Sequence, residues 1–449
     1  MSREANKERA GGAETEGARD AGRAASLDLD TGELEALAAR THALVADYFA
    51  RADERPVFPD TSSRELRRLF RTPLPAEPVA LEQLFDDCRA AFDASRDHRS
   101  PRMFGYVASP AAPAAVYAAL LTAALNQNVT AWRSAPAAAE IERTVVGWLA
   151  ELIGYAGDGV NGVEGDGVEG VEGDAARACG GLLTSGGSMA NLVALHVAHR
   201  SQSERARELS TRGLWNAGAP ATLYVSDQVH LSIPKAADLL GLGREQVRVV
   251  RSDEKFRMDV RALGEVIEAD RRAGLRPFCV VASAGTVATG AVDPLADVAR
   301  VARRESLWFH VDGAYGALAA LDESKRALFT GMELADTVSL DPHKWLYAPL
   351  DCGCLLMRDP SRARLAFGAS EDDYIKVYES DDAEAFAFWD YGVELSRPFR
   401  ALKVWMMLRY YGARRVAMCV AEDNALAQYF GELVEASEDF ELRAPVTLS

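Results

Sequence analysis

Between residues 180 and 357 short β-branched runs alternate with longer amphipathic stretches. ATLYVSD is followed by a helix from about 232, QVRVV by a helix in 259–272, and PFCVVASA by a helix in 294–304; SLWFHVD and TVSLD complete the series. Strands that alternate with helices at this spacing pair in parallel, and a parallel sheet is covered on both faces. The pattern therefore predicts an α/β fold around a mostly parallel central sheet. Functional groups in such sheets gather beyond the carboxyl ends of the strands, so the residues just after each apolar run are the ones to inspect.

A chain of 449 residues with 48% hydrophobic and 26% charged residues is not wholly disordered, and it is long enough for two or three compact units. Lys+Arg number 50 against 67 Asp+Glu, a formal charge of -17 that repels phosphate backbones and anionic lipid surfaces, so neither nucleic acid nor a membrane is expected as a partner. The start, MSREANKERAGGAETEGARD, has no apolar core of a secretory signal, and no run of 18 apolar residues follows, so the expected location is the cytoplasm. Six cysteines (Cys88, Cys179, Cys279, Cys352, Cys354, Cys419) read as ordinary buried thiols, and the C-x-C at 352–354 lacks a second pair or nearby His, so no metal site is expected.

Residues 1–28 are polar and Gly/Ala-rich and read as a disordered tail. A helical segment occupies 29–112, with Leu34, Leu37, Leu44, Val45 and Tyr48 at helical spacing and a Pro-punctuated link to a second helix ending near Phe92. The large domain is expected over 113–415. Within it GDGVNGVEGDGVEGVEGD (157–174) reads as a solvated Gly/Glu-rich insertion, its spacing matching no calcium loop.

At the predicted strand ends stand Asp227 and His230 (SDQVH), Thr286 (AGT), Asp312 (HVDGAYG), and Asp341, His343 and Lys344 (SLDPHKW). Upstream, TSGGSMANLVAL places Gly186, Gly187 and Ser188 at the start of a helix, where free N–H groups and the positive end of the helix dipole suit a phosphate or serve as a simple cap. Asp312, emerging from an apolar strand, needs a cationic or proton-donating partner, which a protonated pyridine nitrogen would be. Lys344, on a turn beside Trp345, suits a nucleophile for a carbonyl. An anion cradle, an acid for a pyridinium and a lysine for an aldehyde are the three demands of pyridoxal phosphate.

HVDGAYG followed by SLDPHKW, with SDQVH and TSGGSMAN upstream, closely resembles the group II pyridoxal-phosphate-dependent decarboxylases, the family of aromatic-L-amino-acid, glutamate and diaminobutyrate decarboxylases. The resemblance runs from MFGYVASP, ALNQNVTAWRSAP and WLAELIGY to FRALKVWMMLRYYG near 410. It implies the aspartate-aminotransferase-like, type I fold, with the cofactor bound in the large domain, and a homodimer with active sites at the subunit interface. It implies decarboxylation of an L-amino acid to the amine and CO2, through a Schiff base on Lys344 and a quinonoid intermediate. Asp312 would pair with the pyridine nitrogen and His230 would stack on the ring. Gly186, Gly187, Ser188, Thr286, Ala314, Asp341 and His343 would complete the cofactor site. Tyr106, Ser109 and Thr130 would line the substrate pocket, Thr130 in the other subunit. Tyr374 and Tyr378, in the acidic stretch 370–386, are candidates for a loop proton donor; Tyr391 reads as core.

Three features depart from the family. Met189 stands where members often have Glu, and Val107 and Thr130 are not aromatic as in typical aromatic-amino-acid decarboxylases. Residues 416–449 read as a partial small C-terminal domain whose first strand is FELRAPVTLS. Two alternatives stand beside decarboxylation: oxidative deamination to an aldehyde on the same site, and an inactive homologue acting as a scaffold. Arg397 and Arg400 suit a substrate carboxylate, but an Arg beside an acidic stretch is more often a surface or interface ion pair.

Overall fold

The computed structural model describes residues 27–107, 109–155, 180–203, 206–214, 218–368 and 386–449. Most of the 1–28 tail, the 157–174 insertion, Cys179, Tyr374 and Tyr378 lie outside them. The chain forms two compact units, residues 1–106 and 107–449.

The first unit is helical: α1 (Thr31–Ala50), α2 (Ser63–Phe70) and α3 (Leu81–Asp93). Asp30 and Glu33 close a capping box at the start of α1, and Ser62 and Glu65 do the same for α2. Of the apolar positions of α1 only Leu44 is fully buried. Tyr48 is instead sandwiched, with the Phe92 ring edge-on at 5.2 Å and the Arg99 guanidinium 3.4 Å from its centroid.

The second unit begins with α4 (Pro113–Leu125) and α5 (Pro136–Leu152), each with Pro in its first turn, where a missing N–H costs nothing. There follow β1 (Gly180–Thr184), α6 (Gly187–Ser201), α7 (Ala206–Arg212), β2 (Ala221–Ser226), α8 (Ser232–Leu239), β3 (Val247–Val250), α9 (Val260–Arg272), β4 (Arg276–Ser283), α10 (Leu295–Arg304), β5 (Trp308–Asp312) and β6 (Thr337–Leu340). The short α11 (Pro342–Trp345), β7 (Gly353–Met357), α12 (Ser361–Phe367), α13 (Ala401–Tyr411) and α14 (Ala413–Glu435) complete it.

The seven strands form one sheet in the order β1-β7-β6-β5-β4-β2-β3. Five neighbouring strands, β3, β2, β4, β5 and β6, are parallel, while β7 runs antiparallel between β6 and β1. Strands β2, β5, β6 and β7 are buried from end to end, as continuous apolar runs in a doubly covered sheet should be. Helix α6 lies across β4, β5, β6 and β7 and is buried nearly all round. Because β1 shares the direction of the parallel strands, the carboxyl ends of β1, β2, β4, β5 and β6 meet at one edge.

The strand expected in FELRAPVTLS does not form: residues 436–449 are irregular. This segment lies back on α14, where Gln428 Nε2 donates to the Val446 carbonyl (2.5 Å) and Ser449 N donates to Asn424 Oδ1 (3.1 Å). Side chains of the helix thus take backbone groups that a sheet partner would otherwise need to take. Leu448 is buried in the core. Cys279, Cys352 and Cys354 are buried as expected, but Cys88 is half-buried and Cys419 exposed, because each falls on the outer side of a surface helix. Among the described residues no helix is long and apolar enough to cross a membrane.

Candidate active site

The strand ends of the second unit enclose a cavity of about 310 Å³ whose wall includes Gly186, Gly187, Ser188, His230, Thr286, Asp312, Ala314, Asp341, His343 and Lys344. One cavity thus gathers every cofactor residue expected from the sequence.

The β1–α6 turn forms one end. Gly186 caps α6 without a side-chain hydrogen bond, so the first N–H groups of a 15-residue helix are free to meet an anion. Position 187 demands glycine because a Cβ there would lie 2.4 Å from Ala314 Cβ and 3.1 Å from Asp341 Oδ2.

At the end of β5, Asp312 Oδ2 accepts from Asn191 Nδ2 (2.9 Å), and Oδ1 accepts from Ser339 Oγ and from the Ala314 N–H, both at 3.2 Å. All three partners are donors, which is what a carboxylate requires. His230, after β2, turns Nδ1 toward Ser232 Oγ (2.8 Å) and the Ser232 N–H (3.2 Å). Lys344 lies on α11, one turn beyond β6, with Nζ 3.0 Å from Asp341 Oδ2. The His343 Nε2 is 3.5 Å from the same oxygen, and its Nδ1 accepts from the Cys352 N–H at 3.3 Å. Burial pushes the Asp341 carboxyl above its usual range, against the opposing pull of Lys344 and His343. Burial likewise lowers His343, with Asp341 opposing.

Asp341 Oδ1 is buried and has no hydrogen-bond partner among the described residues. An orphaned acceptor beside a lysine, a glycine cradle at a helix start and a donor-saturated aspartate on the same wall fit pyridoxal phosphate, which would bring an aldehyde for the lysine, an anion for the helix and a pyridine nitrogen for the aspartate.

Of the expected residues, some only border the cavity and others lie away from it. Thr286 borders the cavity, but its hydroxyl pairs with Thr289 Oγ1 (2.7 Å) and accepts the Ala291 N–H (3.1 Å) within its own turn; Val287, half exposed, faces the opening. Asp227 is not part of the wall: Oδ2 accepts the Ser252 N–H (3.1 Å). Ser109 is not part of it either, and backs it by donating from Oγ to the His343 carbonyl (3.3 Å). Thr130 stands in the α4–α5 loop, its carbonyl accepting the Phe388 N–H (2.9 Å). Tyr106 belongs to the helical unit and is exposed, with the Arg96 guanidinium 4.1 Å from its ring centroid.

Arg397 and Arg400 are not surface residues. Arg397 is buried with Glu142 as its ion-pair partner and donates to the carbonyls of Val129 (2.8 Å) and Leu183 (2.9 Å). Arg400 bridges Asp351 and Glu394 (3.0 and 2.8 Å), holding the loop that carries Leu350 to the cavity. Arg397 thus serves a carboxylate and two carbonyls that burial would otherwise leave unpaired, while Arg400 is itself the buried charge and finds its partners in two carboxylates. Tyr391 is half-buried and stacks on Phe386 at 5.2 Å. Sequence reasoning missed Gln228 and Leu350 on the wall and Asn191 behind it. Asn191 alone had a signal, as a polar residue within an otherwise apolar helical run.

Residues 63–449 match the family described as the pyridoxal-dependent decarboxylase conserved domain. The chain is 33% identical over 426 residues to an aromatic-L-amino-acid decarboxylase of Bacillus atrophaeus, covering 94% of this chain and 82% of the relative. It is 31% identical to a phenylacetaldehyde synthase of Arabidopsis thaliana, over 89% of this chain and 78% of the relative. The crystal structure of Catharanthus roseus tryptophan decarboxylase in complex with L-tryptophan superposes with a TM-score of 0.81 at 28% identity, covering 94% of this chain and 85% of that one. On this match and this cavity, the chain belongs to the pyridoxal-dependent decarboxylase family of carboxy-lyases, whose cofactor is pyridoxal phosphate.

Proposed function

We propose that this protein decarboxylates an L-amino acid to the corresponding amine and CO2. The observation that carries the reading is the convergence of Lys344, Asp312 and His230 on one cavity with the open N-terminus of α6. Bound pyridoxal phosphate supplies an electron sink conjugated to the substrate Cα. The N–H groups of Gly187 and Ser188 would hold its phosphate, and Lys344 Nζ would hold its aldehyde group. Asp312 keeps a proton on the ring nitrogen, a preorganised charge facing the position where negative charge develops. His230 would lie against the ring and orient the substrate carboxylate for loss of CO2.

A second reading, oxidative deamination to an aldehyde, is supported by the likeness to phenylacetaldehyde synthase. The two are separated by following CO2, amine, aldehyde and hydrogen peroxide over a panel of L-amino acids. Decarboxylation yields amine and CO2 in equal amounts; the second reading would consume O2 and water and release aldehyde, ammonia and hydrogen peroxide with the CO2, in place of the amine. We also infer a cytoplasmic homodimer with shared active sites. The exposed Leu120, Leu121 and Leu125 on α4, and a Thr130 outside its own cavity wall, support the dimer. The buried free thiols of Cys279 and Cys352 suit a reducing compartment.

A further inference from the structure

Behind the cavity wall runs a chain of buried groups, Trp308, Thr337, His310, Asn191 and Ser232, that the proposed chemistry does not use and that reaches Asp312 and His230, which it does. Trp308 Nε1 donates to Thr337 Oγ1 (3.0 Å), which in turn lies 3.0 Å from His310 Nδ1. His310 Nε2 faces Asn191 Oδ1 (3.0 Å). Asn191 Nδ2 then donates twice, to Asp312 Oδ2 and to Ser232 Oγ, both at 2.9 Å. Ser232 Oγ completes the path at His230 Nδ1 (2.8 Å).

Three of these groups cannot reverse. The indole N–H is only a donor, the Ser232 backbone N–H that also faces His230 Nδ1 is only a donor, and the Asp312 carboxylate is only an acceptor. The carboxylate sets the order: Asn191 Nδ2 must donate to Asp312, which leaves Oδ1 to accept from His310 Nε2 and Nδ1 of that ring to accept. Thr337 donates to His310 Nδ1, His310 carries its proton on Nε2, and Ser232 donates to His230. The alternative His310 tautomer would donate from Nδ1 to the Thr337 carbonyl at 3.2 Å. It would also turn a lone pair on Nε2 toward Asn191 Oδ1; flipping the amide to relieve that would aim its oxygen at Asp312. Burial, which favours the uncharged imidazole, keeps His310 neutral in this path.

We propose that Asn191 is a positioning residue: it joins the carboxylate that faces the cofactor ring nitrogen to the imidazole that covers the ring, so that both are oriented by one directed chain of hydrogen bonds anchored at Trp308. The role rests on the functional reading above. The chain itself does not, since it consists of this protein's own groups.

The test is long-range 1H–15N correlation on the full chain with and without pyridoxal phosphate. The seven histidines are assigned by single substitution, and the cofactor carries 15N at its ring nitrogen. The expected result is His310 and His230 both protonated at Nε2, and a protonated ring nitrogen. Asn191→Ala should admit the Nδ1 tautomer of His310, move the ring-nitrogen signal toward the neutral form and weaken cofactor binding roughly tenfold, the scale of one hydrogen bond to a charged group. Asn191→Asp, nearly isosteric, should perturb the ring nitrogen further, because it places an acceptor against Asp312. A wild-type His310 protonated at Nδ1 overturns the proposal, as do two folded variants with unchanged signals. Should a variant fail to fold, the wild-type tautomers still decide. A wild type that binds no cofactor would sink the functional reading while the histidine signals still judge the chain.

Discussion

At the scale of single residues, the site is a set of charges held apart by geometry. Asp341 and Asp312 both lie on the wall, yet only Asp312 is saturated with donors; Asp341 contacts Lys344 through one oxygen and leaves the other bare. Lys344→Ala is therefore expected to remove the group that holds the cofactor and lower turnover by about 10³-fold or more, read from initial CO2 release. Asp312→Asn keeps shape and loses charge. With cofactor held at saturation, its kcat should fall by about 10²-fold or more, the size seen when one preorganised charge contact is removed. The residues of this wall were legible because their chemistry is written in short strand-end motifs. The partners behind it were not: that Ser339 and Asn191 reach one carboxylate depends on β6 and α6 flanking β5, a matter of sheet order rather than of spacing.

Individual elements owe their placement to buried pairs as much as to apolar packing. Helix α5 buries Glu142 among Ala138, Ala139, Val145, Val146 and Leu149, and this carboxylate accepts the Leu183 N–H (2.9 Å) while pairing with Arg397. The pair thus grips both backbone groups of Leu183, one residue before the end of β1 and three before the glycine turn. Glu142→Gln leaves a buried guanidinium without its counter-charge and should cost about 3–5 kcal/mol in urea unfolding. The double substitution Glu142→Leu with Arg397→Met should recover much of that loss, as apolar replacements of buried pairs do. Strands β2 to β6, and helices α8, α9 and α10 between them, followed from the sequence because short β-branched runs alternate there with amphipathic stretches. The antiparallel direction of β7 did not, since CGCLLM carries no mark of orientation. The expected C-terminal strand failed for a related reason: a β-branched run specifies a strand only where an edge awaits it, and here α14 side chains met the backbone first.

For the whole molecule, pH acts through groups buried in their neutral form. His199, packed edge-on against Phe278 and 3.4 Å from an Arg276 nitrogen, is lowered to about 4, by burial first and then by the nearby positive charges. A histidine whose folded value lies below its unfolded one binds its proton in the unfolded chain first. Its contribution to stability is therefore complete above about pH 6.5 and is lost as the pH falls from there toward 4. In that window this one group should cost about 1.4 kcal/mol per pH unit at most, and His199→Gln should flatten the acid limb of the stability curve accordingly. Denaturant unfolding at pH 7.5, 6 and 5 reads both slopes; equal slopes would contradict the assignment. The central claim, that one lysine of this cavity holds the cofactor, is tested most directly by borohydride reduction of the full chain loaded with pyridoxal phosphate, followed by peptide mass spectrometry. The account expects a single pyridoxyl adduct, on Lys344; an adduct on another lysine, or none, would contradict it.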